Sequence, residues 1–408
     1  MTRTQPKKQY LTSLTGLRGL AALLILANHG AGWLNPNAPL PVNIRLIAVL
    51  TSLGMSVFFV LSGFVIHYNY ADKFQGALGP AARKFAAARF SRLYPLYFCG
   101  LVLALFTSGY IWKIPTDPGY AKGLLAYLAC VQSWFFFTLE GYRLIDFLFP
   151  LSWAVSTELF LYLLYPSIAR AMSRASRPAA ALAALAAVCV LSILAMSLVQ
   201  DQSPWWLLWA ANHFPEAAGA NKNFFHHFHQ WAVYLAPYPR IPEFIQGALA
   251  AQLLLTLRKR PPSVLDRMTG RLLLYVSLAA LVVLCVAVAN YDYATLQMLR
   301  QNTLFAPALA ALMFCLARYE SLPARLMRAR PMLFLGEISL ALYLVQTWSL
   351  RFFASENPAP IEGPLAFAWA GRYGLSLAAS VAVAWMAFRL IEIPSRNALR
   401  RVFSGRAA

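Results

Sequence analysis

Eleven stretches of this chain are apolar enough to enter a lipid bilayer, and they decide its fold class. They fall at about 12–33, 44–68, 93–111, 123–138, 150–169, 178–200, 241–257, 272–290, 303–317, 332–352 and 373–391. A helix that crosses the hydrocarbon core needs ~17–25 residues. With 60% hydrophobic and only 12% charged residues over 408 positions, the composition excludes an ordinary soluble enzyme. Its 27 Phe, 19 Tyr and 11 Trp exclude a disordered chain. The fold class is an all-α polytopic membrane protein.

The net charge of +20 would suggest nucleic acid in a soluble protein. In a membrane protein it is read by position, because Lys and Arg collect in cytoplasmic loops. Basic clusters sit at Arg3/Lys7/Lys8, at 73–92, at 170–177, at 258–271, at 318–330 and at Arg396/Arg400/Arg401/Arg406. The connections 34–43, 201–239 and 353–364 are nearly free of bases. Placing the clusters in the cytoplasm puts both termini inside and requires an even number of crossings. The odd run is 123–138, short and ending in Trp134, Phe135, Phe136 and Phe137, which reads as a re-entrant or interfacial segment on the outer side. About ten spans remain, with 26 of the 35 bases inside but only 5 of the 15 acids. No nucleic-acid partner is expected.

The basic start, Met1 to Tyr10, imitates a signal peptide, but no small-residue cleavage site follows, so the first helix is expected to be retained. The five cysteines all lie in apolar stretches, which argues against a disulfide framework or a zinc site. No internal repeat or linker is evident. The organisation expected is one integral-membrane domain over 1–408, with a core at about 10–396 and a basic cytoplasmic tail at 397–408.

Charge inside a span costs at least ~2.5–3.5 kcal/mol, so function is sought at intramembrane ionisable residues. LTGLRGLAALLILANHG carries Arg18 and His29. Eleven helical steps make ~3 turns and ~16 Å of rise, so the two side chains share a face about half a bilayer apart. A snorkelling Arg with a hydrogen-bonded His fits this spacing, and so does a functional pair. In RFSRLYPLY, Arg89 and Arg92 are one turn apart, suited to positive-inside anchoring or to a bidentate phosphate clamp. LSWAVSTELFLYLLYP brings Glu158 into a span, where it either pairs with a base such as Arg240 or orients a catalytic His. In RIPEFIQGALAA, Arg240 and Glu243 have the i, i+3 spacing of an ion pair at the outer mouth of a helix, on the acceptor side or as a structural pair. Small residues Gly54, Ser56, Ser62 and Gly63 suit close helix packing. Glu337 and Glu392 balance basic neighbours toward the inner side. HHFH at 226–229 lacks the partners of a metal set, and no metal is expected.

Arg18 and His29 with ten residues between them, FFVLSGFVI (58–66), RFSRLYPLY (89–97), SWAVSTELFLYLLYP (152–166), RIPEFIQG (240–247) and LGEISLALYL (335–344) together resemble bacterial acyltransferase family 3. The similarity covers about residues 10–396, in the family's order. The resemblance implies a membrane-bound O-acyltransferase of the bacterial inner membrane. An acyl group, usually acetyl from cytoplasmic acetyl-CoA, would pass to a hydroxyl of a surface glycan or polyprenyl-linked sugar. It implies that His29 is the essential histidine and Arg18 its paired arginine, that Arg89 and Arg92 are the basic pair, and that Glu158 is the acid of the SW…E motif. CoA phosphates near Arg18, Arg89 and Arg92 would send the thioester arm toward His29, with Glu158 available to fix its tautomer. Many relatives carry a His where this chain has Gln346, and some carry a C-terminal SGNH hydrolase-like domain that does not appear before residue 408. The rival reading is a transporter or flippase of lipid-linked sugars that uses the same Arg/His/Glu set as a substrate or proton path.

Overall fold

The structure, a computed structural model, describes residues 11–34, 44–76, 78–220, 223–258, 260–353 and 364–404. The bases Arg3, Lys7, Lys8, Lys259 and Arg406, and nearly all of the connections 34–43 and 353–364, lie outside the described residues. The longer helices are α1 (Thr12–Leu34), α2 (Ile44–Tyr70), α3 (Leu78–Thr107), α4 (Trp153–Met172), α5 (Pro178–Asp201) and α6 (Ile241–Leu257). After these come α7 (Val264–Asn290), α8 (Ala306–Arg318), α9 (Arg330–Glu337), α10 (Ser339–Phe353), α11 (Pro364–Ala387) and α12 (Ile393–Ser404). The sheet among the described residues is one two-stranded hairpin, Thr138–Leu139 with Tyr142–Arg143. The all-α expectation holds.

The centre of the bundle is α2, packed on α6 and α1. Two glycines permit this contact. A Cβ on Gly63 would lie 1.9 Å from the Phe244 carbonyl oxygen, and one on Gly247 would lie 1.8 Å from that of Val60. Gly54 closes the other side of α2 against Ile25 and the Ala21 carbonyl. Gly54 and Gly63 therefore do what the sequence assigned to them, whereas Ser62 gives its hydroxyl to Glu158. The glycines let backbones meet where lipid offers no hydrophobic drive for association.

Burial separates core helices from rim helices. The apolar stretch of α2 is 72% buried within the protein, that of α5 only 6%. Helix α5 instead turns Val190, Leu191, Leu194 and Leu198 outward, and α7 does the same with Val276, Val282, Val283 and Val286. Faces of this kind suit lipid rather than water.

Among the described residues, five stretches are long and apolar enough to cross a bilayer alone: α2, α3, α5, α7 and the C-terminal run Ala370–Phe403. The run 332–352, read from sequence as one span, is two helices, α9 and α10, bent by 72°. Counted as one, they make a sixth span. The other helices of the ten-span reading are shorter or carry charge, as with the 13-residue α8. Several are shielded by protein: Gly247, Ala248, Ala250 and Ala251 of α6 and Ala310 and Met313 of α8 are buried. An interior helix need not be uniformly apolar, because its neighbours are side chains rather than lipid.

The run 123–138 does not form a span. It contains the end of an 11-residue helix, Pro118–Leu128, then turns leading into the hairpin. Eleven residues rise only ~16 Å, about half the hydrocarbon thickness. Phe136 at its end packs edge-on against Phe224 and Phe228 of the 201–240 excursion, and the Trp231 indole donates to the Ser133 carbonyl at 3.0 Å. Two segments read separately as outer are thus one aromatic cap. It also fixes the start of α4: Ser133 Oγ bonds Ser156 Oγ at 2.8 Å, and Gln132 Nε2 donates to Ser152 Oγ at 2.9 Å.

Candidate active site

Helices α1, α2, α3, α4, α10 and α12 surround a cavity of about 630 Å³ at the end of the bundle where α1 begins and α2 ends. Ligand sites for molecules of drug to cofactor size occupy ~300–1,000 Å³. Arg18, Arg89, Arg92 and Glu158, drawn from three separate motifs, all line it. Their convergence is what the sequence could anticipate only by family resemblance.

Arg89 arrives there because α3 starts earlier than its apolar run. Residues 78–92 are Ala-rich, a composition that favours helix, so the helix starts at Leu78 and turns Phe85 and Arg89 to the core. The Arg89 guanidinium lies 4.8 Å from the Tyr70 ring centroid, 5.6 Å from Phe85 and 5.7 Å from Tyr162. Such an aromatic cage holds a cation while leaving edges of the fork for an anion. Its Nε is buried and makes no hydrogen bond.

Glu158 accepts from Ser62 Oγ at 3.1 Å and from the Tyr162 hydroxyl. Arg89 is its cationic neighbour. The carboxylate therefore belongs to the basic end of the cavity, and its pairing with Arg240, which the sequence left open, does not occur. Tyr70, Ser62 and Tyr162 complete this end. Tyr162 was in view as the residue one turn beyond Glu158 in the same motif, but spacing alone gives a hydroxyl no role.

Arg18 donates from Nε at 2.9 Å, and also from Nη2, to the carbonyl of Gly336, next to the α9–α10 bend. The remainder of its fork lines the cavity. His29 lies ~16 Å farther along α1 and is not part of that lining. Met55 marks the deep end of the cavity, beside Gly54, which packs on Ile25 one turn below His29.

The residue beside His29 is Gln346 of α10, its hydrogen-bonding neighbour. The Gln346 Nε2 donates to the Tyr343 carbonyl at 2.9 Å. The amide carries a second N–H, while the carboxamide oxygen is buried and makes no hydrogen bond. Gln346, rather than Glu158, is the polar side chain beside the His29 ring.

Arg240 and Glu243 form the i, i+3 ion pair expected of them, 3.0 Å long with both side chains 0% exposed. Phe59, Trp153 and Tyr234 surround the guanidinium at 5.0, 5.5 and 4.5 Å, and its Nε donates to the Tyr234 carbonyl. The pair lies outside the cavity lining, although Phe59 belongs to both neighbourhoods. His67 is also satisfied, with its Nε2 2.8 Å from Gln252 Oε1. In the HHFH segment, His229 stacks on Trp206 at 5.6 Å.

A family profile described as Acyltransferase domain matches residues 11–389. Over 266 residues the chain is 30% identical to "Acyltransferase MdmB" of Streptomyces mycarofaciens, a match covering 64% of this chain and 62% of that protein. Over 178 residues it is 33% identical to "Protein 2 in picA locus" of Rhizobium radiobacter, covering 40% of this chain and 84% of that one. The aligned part thus spans less than two thirds of the length of the first of these relatives. No solved structure matches significantly. From the helix that bears Arg18 and His29 to Arg389 at the cavity mouth, the matched region takes in all of the cavity lining except Glu392, Ile393 and Arg396, and the chain belongs to acyltransferase family 3.

Proposed function

We propose that this protein is an inner-membrane O-acyltransferase that moves an acyl group, acetyl from acetyl-CoA, to a hydroxyl of a surface glycan or polyprenyl-linked sugar. The observation that carries this reading is the convergence of Arg18, Arg89 and Arg92 on one cavity whose deep end lies about one helical turn below His29. With ten spans and both termini in the cytoplasm, the cavity mouth faces the cytoplasm, and the aromatic cap faces outward.

The guanidinium forks hold phosphate oxygens of the acyl donor, and Arg89 is pre-oriented by its aromatic cage. The apolar walls at Met55, Phe58 and Phe59 guide the thioester arm inward. His29 acts as general base. Its unprotonated ring nitrogen takes the proton of the acceptor hydroxyl as that oxygen attacks the thioester carbonyl. The carbon–sulfur bond breaks, the imidazolium gives its proton to the departing sulfur, and CoA leaves toward the cytoplasm as the free thiol. Glu158 balances Arg89 and keeps the basic end from closing around a single charge. The buried Arg240–Glu243 pair holds α6 against the aromatic wall on the acceptor side.

Release of free CoA thiol separates this reading from a sugar transporter. Purified protein in lipid should liberate thiol from acetyl-CoA in proportion to added acceptor glycan. Acceptor movement across the bilayer with no thiol release would replace the acyltransferase with the transporter.

A further inference from the structure

The C-terminal part of the chain supplies a wall of the cavity that none of the motifs above contains. Helix α11 does not pass straight into α12. Between Phe388 and Glu392 the backbone makes a π turn, a distortion found disproportionately at functional sites. It brings Arg389, Glu392 and, one turn on, Arg396 into the cavity lining.

Glu392 is 4% exposed. Its Oε1 lies 4.0 Å from Arg396 Nη1, and its Oε2 is buried with no hydrogen bond. Arg92 and Arg18 are its other cationic neighbours. Arg396 Nε is likewise buried and unmatched, as is Arg89 Nε. Buried polar groups are nearly always bonded. Here three that are not line one cavity, which holds five arginines against three glutamates. The surplus is positive and the unmet groups include donors, the chemistry of a site for an anion rich in oxygen acceptors.

We propose that Arg396, with Arg389 at the mouth, extends the phosphate-binding lining of Arg89 and Arg92 on the helix packed against α3, and that Glu392 is the counter-charge that spaces the guanidinium groups. The ligand class is a phosphate ester or diphosphate, such as the nucleotide part of an acyl-CoA. The assignment to that nucleotide rests on the acyl-CoA reading given above. A phospholipid headgroup has the same chemistry, so the test must tell the two sources apart.

The experiment uses the full chain in phosphatidylcholine nanodiscs, with calorimetric titration of acetyl-CoA and of adenosine 3′,5′-bisphosphate. Arg396→Gln should weaken acetyl-CoA by on the order of tenfold or more. Glu392→Gln, which removes a negative charge facing the anion, should tighten it severalfold. A folding defect would weaken both variants, so opposite signs identify a charge effect. Equal acetyl-CoA affinity in wild type and Arg396→Gln overturns the inference and leaves the acyl-CoA reading standing. Arg396-dependent binding of the bisphosphate without binding of acetyl-CoA keeps the phosphate wall and removes the acyl-CoA reading. Where neither nucleotide binds, native mass spectrometry in phosphatidylglycerol decides. Lipid retained by wild type and lost from Arg396→Gln assigns the wall to a headgroup, and no difference overturns it.

Discussion

Arg18 and Gly336 are joined across 318 residues of sequence by a guanidinium that donates twice to one carbonyl. The Ser339 hydroxyl donates to the same oxygen at 3.0 Å. This is where α9 gives way to α10, and a helix end buried among other helices must have its carbonyls satisfied. Arg18 thus closes the bend and lines the cavity with the same side chain. Lysine keeps the charge but not the fork. Arg18→Lys should cost about 1.5–3 kcal/mol of stability, the range for hydrogen bonds to charged groups, and should weaken acetyl-CoA binding as well. Thermal unfolding in detergent checks the first effect; a melting temperature equal to wild type would mean that Gly336 does not depend on Arg18.

The Arg240–Glu243 pair has no exposed surface, so removing one charge strands the other. Glu243→Gln should destabilise the protein by ~3–5 kcal/mol. Replacing both residues with apolar side chains of similar volume should cost much less, because no charge is then left unpaired. A double-mutant cycle on thermal stability measures the coupling. Additive single effects would show that the two side chains stand independently.

Gln346 is the hydrogen-bonding neighbour of the His29 ring. Gln346→Leu keeps the volume and removes the polar group. It should lower the turnover rate on the order of tenfold while leaving the acetyl-CoA Kd unchanged, against roughly hundredfold or more for His29→Ala. Equal turnover in Gln346→Leu and wild type would remove Gln346 from the site.

The aromatic cap carries its own pH dependence. Burial holds the His229 ring, stacked on Trp206, below the ordinary histidine value of 6.5, and His226 adds to the effect. Burial lowers His227 too, with Arg143 beside it. The neutral rings fit the cap without penalty above pH 6.5. As pH falls through that value toward the lower folded one, the unfolded segment gains protons that the cap excludes, and the cap loses stability. Protection factors over 203–220 and 223–231, corrected for the intrinsic exchange rate at each pH, should fall as pH is lowered from about 7.5 to about 5. Exchange that keeps its protection across that window would contradict this account.

The helical membrane class was readable because apolar runs record lipid contact directly, as α5 and α7 show. The Arg240–Glu243 pair was readable because i, i+3 spacing is local. What escaped depends on packing between distant segments. The α9–α10 bend lies within a run that hydropathy reads as continuous, and nothing local announces that Arg18 will cap it. The ten residues between Leu78 and Arg89 are too polar to read as membrane helix, yet Ala-rich enough to be one. Glu158 could be read either as the partner of a base or as the acid that orients His29, and spacing does not choose between them. The structure places it with Ser62, Tyr162 and Arg89, and puts Gln346 beside the ring.

The central claim is transfer of an acyl group with His29 in the chemistry. Membranes containing wild-type protein or His29→Ala, matched for folded protein, would be given CoA labelled in its acetyl group, and the label followed into the surface-glycan fraction. The account predicts label in the glycan with wild type and none above background with His29→Ala. Equal labelling by both would contradict it.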